Sequence, residues 1–277
     1  MDLNLIESIL YGVISGFTEF MPVSSHAHRQ LLLTLFGNES SVALLDLFVH
    51  IGLLIAVLAA VVGYCKRGSK EYALLRKAPR RRKREPNMQV ALDYSFVRTA
   101  TLLLLVSIFL RVKTAVWSSD LPMLALFLTV NGLLLFVPHL LSSGNKDSRH
   151  MSAFDAILFG IGGALSCLPG ISCIGASASI ALLRGADKKE AYKWSLMLTG
   201  PALVISLCMD LYGLFVAGMG GLDLLTILIC LFSGCTAYFA GSLAIKFMKT
   251  LVEDKGFSGF CYYSWGIALF LFILYLY

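Results

Sequence analysis

Six apolar runs, each long enough to cross a bilayer, constrain this chain more than any other feature. They fall at about 42–64, 95–112, 121–141, 192–216, 223–245 and 259–277. A helix of about 20 residues, rising roughly 1.5 Å per residue, covers a hydrocarbon core of about 30 Å, so each run is predicted as a full span with some tilt allowed. Charged residues make up 14% of the 277. An ordinary soluble domain carries about 25%. A lipid-facing surface accounts for the deficit, and the runs leave no space for a sizeable soluble domain. The expectation is an all-α, polytopic membrane protein forming a single domain over residues 1–277. The N-terminus has no basic stretch ahead of its first apolar run, so that run is expected to stay in the mature protein.

Two further apolar segments, 5–36 and 153–184, are interrupted at Pro22-Val23-Ser24-Ser25 and at Pro169-Gly170-Ile171-Ser172. Irregular backbone at membrane depth is tolerated only where it is buried in protein or lines a wet cavity. Each segment is therefore predicted as a re-entrant helical hairpin. The two also resemble each other. Ile9-Leu10-Tyr11-Gly12-Val13 aligns with Ile157-Leu158-Phe159-Gly160-Ile161, Pro22 and Ser25 with Pro169 and Ser172, and Gly52 with Gly200. We read an internal repeat, about 5–141 and 153–277, each half holding one hairpin and three spans. Three is odd, so the second half must be inverted relative to the first.

Charge supports this topology. The segment 65–94 holds ten Lys and Arg, including Arg80-Arg81-Arg82-Lys83-Arg84. Such a run can bind nucleic acid, but in a membrane protein it marks a cytoplasmic loop. With 65–94 inside, segments 142–152, 184–193 and 246–257 also fall inside, and these regions together hold 19 of the 23 basic residues. The outer loops are then 37–41, 113–120 and 217–222, containing only Lys113. The seven cysteines form no CxxC pair and lie mostly in apolar runs, as small hydrophobes do.

The first hairpin concentrates polar groups: Ser15, Thr18, Glu19, Ser24, Ser25, His26, His28 and Arg29. An ionisable group at membrane depth is costly unless paired or hydrated, which marks a functional site. The bland alternative is a tip protruding into headgroups, but Glu19 lies before the proline, inside the apolar limb. The second tip offers Ser172, Gly175, Ser177 and Ser179. Small residues there allow close packing, and broken helices aim N–H groups at an anion. Two opposed tips would enclose one polar pocket.

The stretch from Gly12 to His28, GVISGFTEFMPVSSHAH, resembles the first signature of the undecaprenyl-diphosphatase (bacitracin-resistance) family. The stretch from Pro169 to Ser177, PGISCIGAS, resembles its second, and Gly52, Pro201 and Asp210-Leu211-Tyr212 add to the match. The resemblance covers essentially the whole chain. It implies the two-hairpin inverted repeat and removal of one phosphate from a C55 polyprenyl diphosphate, which recycles the lipid carrier of cell-wall synthesis. It implies a multi-pass protein of the bacterial inner (plasma) membrane, its pocket facing outward, with lipid rather than nucleic acid as partner and scope for a homodimer. It also implies a divalent cation, Mg²⁺ or Ca²⁺. By position, Glu19 is the second acid of a spaced pair and a metal ligand, Ser24 and Ser25 are the serines, and His28 is the histidine. Ser172 and Ser177 take the hydroxyl positions of the second hairpin. Either Ser25 or His28 is left as the nucleophile or proton relay.

Two positions depart from the family pattern. Ser15 stands where the first acid belongs, and Cys173 where an arginine belongs. A guanidinium clamps phosphate charge two-pronged, and cysteine cannot. His26, His50 and Arg29 are candidates to compensate by binding the diphosphate; neutral histidines would suit Zn²⁺ better than Mg²⁺. Restoring arginine at 173 and glutamate at 15 is expected to complete the pattern. The rival readings are a non-catalytic transporter or flippase for polyprenyl phosphates and, more weakly, a small-anion or drug-resistance transporter.

Overall fold

A computed structural model describes residues 4–37, 42–114, 120–141, 144–217 and 223–276. Among these residues there are eleven α-helices, with no strand pairing beyond one isolated bridge between Lys146 and Ala186. In chain order they are α1 (Leu5–Glu19), α2 (Ser25–Leu35), α3 (Ala43–Leu75), α4 (Met88–Leu104), α5 (Ser107–Thr114), α6 (Leu121–Phe136), α7 (Ala153–Ala164), α8 (Cys173–Leu183), α9 (Lys188–Ala217), α10 (Leu224–Asp254) and α11 (Gly259–Leu276). Six helical stretches are long and apolar enough to cross a membrane: Ala43–Leu75, Met88–Arg111, Leu121–Leu140, Lys188–Val216, Leu224–Asp254 and Gly259–Leu276. These are the six runs read from the sequence. Large apolar side chains on their outer faces, Phe215, Phe239 and Phe272 among them, are exposed in the isolated chain, as lipid-facing residues must be.

Helix starts follow from local chemistry. Asn4 with Glu7, and Ser152 with Asp155, form reciprocal capping boxes at α1 and α7. Asn87, Asp120 and Asp223 cap α4, α6 and α10. Each side chain satisfies a backbone N–H that a helix leaves without an internal partner.

Boundaries differ from the sequence reading in three places. The basic segment 65–94 is not one loop, because α3 runs on to Leu75 and α4 begins at Met88. Arg82 donates to the carbonyls of Leu75 and Lys77, occupying the end of α3. Arg84 and the Asn87 N–H both reach the Glu71 carboxylate, folding the connection back onto α3. The run 95–112 is divided between α4 and α5 by a turn at 105–106, and α10 continues past 245 to Asp254. The expected outer loops at 37–41, 113–120 and 217–222 lie largely outside the described residues.

Packing interleaves the two ends of the chain. α10 lies against α1 and α3; α4 lies against α7, α3 and α9; α3 meets α9, and α6 meets α11. Small residues permit these approaches. A Cβ on Gly12 or Gly16 would collide with α10, at Ser233 and Thr236 or at Ala237 and Ala240, and one on Gly52 would strike the Gly234 carbonyl. Close backbone contact is how membrane helices gain dispersion energy where lipid offers no hydrophobic drive. A buried carboxylate joins three helices: Asp93 on α4 accepts from Tyr64 of α3 and from Trp194 Nε1 (2.9 Å) and Lys193 Nζ (2.8 Å) of α9. Phe96 packs between Phe159 and Trp194 beside it.

Candidate functional site

Each interrupted segment is two helices joined by an irregular turn, and the turns meet. Ser172 Oγ donates to the Met21 carbonyl (3.3 Å). Asn131, on α6, bridges the pair: its Nδ2 donates to the Pro22 carbonyl (3.0 Å) and its Oδ1 accepts from the Ser172 N–H (3.0 Å). Gly175 completes the approach, since a Cβ there would lie 3.2 Å from the Pro22 oxygen.

Where the turns meet, a cavity of about 300 Å³ opens, lined by Glu19, Ser24, Ser25, His26, Arg29, Asp46, His50, Arg111, Ser172, Cys173 and Asp210 among others. Two helices begin at it, α2 with Ser25 and α8 with Cys173. A helix start presents unpaired N–H groups and the positive end of the helix dipole, a setting that favours an anion. Ser24 takes φ 62°, the only positive φ outside glycine among the described residues. A left-handed non-glycine residue is strained by about 1–2 kcal/mol, and such residues gather at functional sites. The Ser24 and Ser25 hydroxyls are buried, their residues 3% and 6% exposed, and neither has a hydrogen-bond partner. A buried hydroxyl left unbonded costs about 1–3 kcal/mol, which calls for a reason in function.

The charged wall is a chain of contacts from α1 to α9. Tyr11 OH donates to Asp46 Oδ1 (2.7 Å), which lies 3.5 Å from Arg29 NH1. The same NH1 donates to His50 Nε2 (2.8 Å), and His50 Nδ1 donates to Asp210 Oδ2 (2.6 Å). Arginine only donates, so Nε2 of His50 accepts and its proton sits on Nδ1. Arg29 is thus oriented by groups from α3. The Glu19 carboxylate lines the same cavity as Arg29 and Arg111.

The structure brings Glu19, Ser24, Ser25, His26, Arg29, His50 and Ser172 to one cavity. It places three other sequence candidates differently. His28 is not on the cavity wall: its Nδ1 donates to the Ser24 carbonyl (2.8 Å), and its Nε2 accepts from Tyr263 OH (2.8 Å), with the rings stacked. Both nitrogens are engaged, so His28 braces the strained Ser24 instead of facing a ligand. Ser177 points away, donating to the Cys173 carbonyl (2.6 Å) and meeting Ser195 Oγ of α9 (2.9 Å). Ser15 is buried and donates back to the Tyr11 carbonyl (2.6 Å), so a glutamate there would meet a packed helix face. Ser172 lines the cavity, but its hydroxyl is committed to Met21 and to the Gly175 N–H (3.1 Å).

The sequence profile described as bacitracin resistance protein BacA matches residues 8–270. The chain belongs to this family. Among its relatives is an undecaprenyl-diphosphatase of Methanobrevibacter smithii, 30% identical with 98% of each chain covered. Another, of Carboxydothermus hydrogenoformans, is also 30% identical with 98% of each chain covered. One of Halothermothrix orenii is 26% identical over the same share of both chains.

The BacA signatures place Glu19 and the serines, but several residues in or bracing the cavity carry little sequence signal. Asp46 and Arg111 stand near the ends of apolar runs, where charge marks a boundary. Asn131 could have been found: it is an amide in the middle of an otherwise apolar span. Tyr263 is one tyrosine among several. As for a metal, no three His, Cys, Asp or Glu side chains among the described residues are grouped to share one. Asp46 and Asp210 are taken up by Tyr11, Arg29 and His50. The donor set does not fit a cation held by protein alone. Mg²⁺ carried in on phosphate oxygens would need only one or two carboxylates, and Glu19 lines the cavity where one would be wanted.

Proposed function

We propose that this chain hydrolyses a polyprenyl diphosphate, undecaprenyl diphosphate in the first instance, to the monophosphate and inorganic phosphate. The observation that carries the reading is the pair of buried, unbonded hydroxyls of Ser24 and Ser25 at the start of α2, facing the start of α8 across a cavity walled by Arg29. Four positive elements, two helix starts and the Arg29 and Arg111 guanidiniums, converge on a space that suits a diphosphate. The names of the relatives agree with that chemistry.

In this reading Ser25 Oγ is the nucleophile. It attacks the terminal phosphorus, its proton passes to Glu19, and the bond to the bridging oxygen breaks. Polyprenyl monophosphate leaves, and water then releases phosphate from the serine. Attack by His28 is disfavoured because Ser24 and Tyr263 occupy both its nitrogens. Arg29, held by Asp46 and His50, binds phosphate oxygens; His26 lines the same wall. A divalent cation, when bound by Glu19 and the substrate, would neutralise leaving-group charge. Full activity after exhaustive chelation would remove it from the scheme.

The same reading takes both broken segments as re-entrant hairpins of an inverted repeat. Exchanging α1 with α7, α3 with α9, α4 with α10 and α6 with α11 turns the α1–α10 contact into α7–α4 and the α3–α10 contact into α9–α4, all of which occur. The basic connection after α3 then lies in the cytoplasm and the cavity opens outward, in the plasma membrane. Labelling of Arg81→Cys by an impermeant reagent from outside intact cells would overturn that orientation. The function itself is tested by phosphate release from polyprenyl diphosphate by the purified protein. A folded protein that releases none at any pH or cation concentration, yet moves polyprenyl phosphate between leaflets, would be a carrier.

A further inference from the structure

The family pattern puts an arginine where this chain has Cys173, and that loss is the strongest objection to diphosphate chemistry here. The cavity answers it from another helix. Arg111 lies on α5, which packs on the short turn Leu165–Cys167 leading into the second tip. Its side chain lines the cavity beside Ser166, Cys167, Ser172 and Cys173. Its NH1 donates to Ser206 Oγ of α9 (3.0 Å), which fixes the guanidinium from the far wall. Cys173 and Glu19 line the same cavity, so the guanidinium shares the pocket with the side chain at the position the motif would fill.

We infer that Arg111 supplies, from α5, the phosphate-clamping guanidinium that position 173 lacks. The inference rests on the diphosphatase reading above and adds a residue to it. Arg29, held by His50 and Asp46, already binds phosphate from α2 in that reading, so what the change at 173 leaves wanting is a second guanidinium. Arg111 enters the same cavity from α5 and Arg29 from α2, so the two guanidiniums would hold the diphosphate together. A small side chain at 173 is what this arrangement needs: an arginine there would crowd Arg111 with like charge. Cys173→Arg alone should therefore give no gain in turnover.

The test compares wild type, Arg111→Gln, Arg111→Lys, Cys173→Arg and the double variant Arg111→Gln/Cys173→Arg. Two quantities are measured: phosphate release from polyprenyl diphosphate, and the shift in thermal unfolding caused by inorganic pyrophosphate. Arg111→Gln should lose about 100- to 1,000-fold in turnover, the usual cost of one transition-state donor. Its pyrophosphate shift should vanish. Arg111→Lys should stay at least about tenfold below wild type, because an ammonium is a point charge without the two-pronged fork. The double variant should recover both readouts, which a purely structural role for Arg111 would not allow. A folded Arg111→Gln with wild-type turnover and an unchanged pyrophosphate shift overturns the inference. If that variant does not fold, Arg111→Lys decides, and wild-type behaviour in it is equally fatal. If the wild type releases no phosphate, the diphosphatase reading falls, and the pyrophosphate shifts alone decide whether Arg111 binds the anion.

Discussion

The turns at Pro22 and Pro169 each lead into an eleven-residue helix with a serine at its N-cap, and the two serines are spent differently. Ser172 sits at φ −83° and its hydroxyl caps α8 by accepting from the Gly175 N–H. Ser24 sits at φ 62° and makes no cap bond to α2. The first tip gives up a cap worth about 1 kcal/mol and carries backbone strain besides. In return, a hydroxyl and the opening N–H groups of α2 stay available at the cavity. The second tip is the platform: its hydroxyl and its first N–H hold the first tip in place through Met21 and Asn131. In the reading proposed above, chemistry falls to one tip and support to the other.

The largest expected effect separates these roles directly. Ser25→Ala should lower phosphate release by at least about 10³-fold with unchanged thermal stability, as loss of a nucleophile does. Ser172→Ala should instead lower stability by about 1 kcal/mol, the cap term, with a far smaller fall in turnover. Equal losses of turnover from both would erase the distinction. Next comes the bridge. Asn131→Ala leaves the Pro22 carbonyl and the Ser172 N–H unpaired in a buried place, so unfolding should show a loss of about 2 kcal/mol. Retained stability would mean that the tips hold each other without it.

Ser24 offers a finer test of strain. Both Ser24→Gly and Ser24→Ala remove the hydroxyl, but glycine accepts φ 62° without penalty. The glycine variant should be more stable than the alanine variant by about 1 kcal/mol in the same unfolding experiment. The smallest effect concerns the segment leading into α7. Hydrogen bonds from Arg149, then from His150, hold the Asp147 carboxyl down at about 2. A depressed carboxylate stabilises the fold above its ordinary value near 3.9 and loses that contribution as pH falls through 2. Protection of the 144–152 backbone against hydrogen exchange should therefore persist, once corrected for intrinsic rates, from pH 7 down to about 4.

The spans were legible because hydrocarbon thickness translates directly into run length, and the breaks in the two shorter segments because proline and serine interrupt apolar runs. Glu19, Ser24, Ser25 and Arg29 could be assigned to the site because charge and hydroxyls are conspicuous there. What the sequence did not reveal was direction. His28 and Ser177 lie in the right motifs, yet each is turned toward a neighbouring helix by a partner more than a dozen residues away, Tyr263 and Ser195. Arg111 is the reverse case. It stands in no motif and reaches the cavity because α4 breaks at 105–106 and α5 sets off on its own course against the second tip. Linear spacing records which residues share a segment; it does not record a turn of that kind.

The stacking of His28 on Tyr263 ties the first tip to the last helix, and Ser264, the next residue, lies 3.3 Å from Asn131 Nδ2. Every residue with a chemical role precedes α11 in the chain, but two of the groups that hold the tips in shape arrive with it. During synthesis the pocket residues enter the membrane long before their braces do. The nascent protein should therefore pass through a stage that is fully threaded yet catalytically silent, and hydrolysis should begin only when α11 docks.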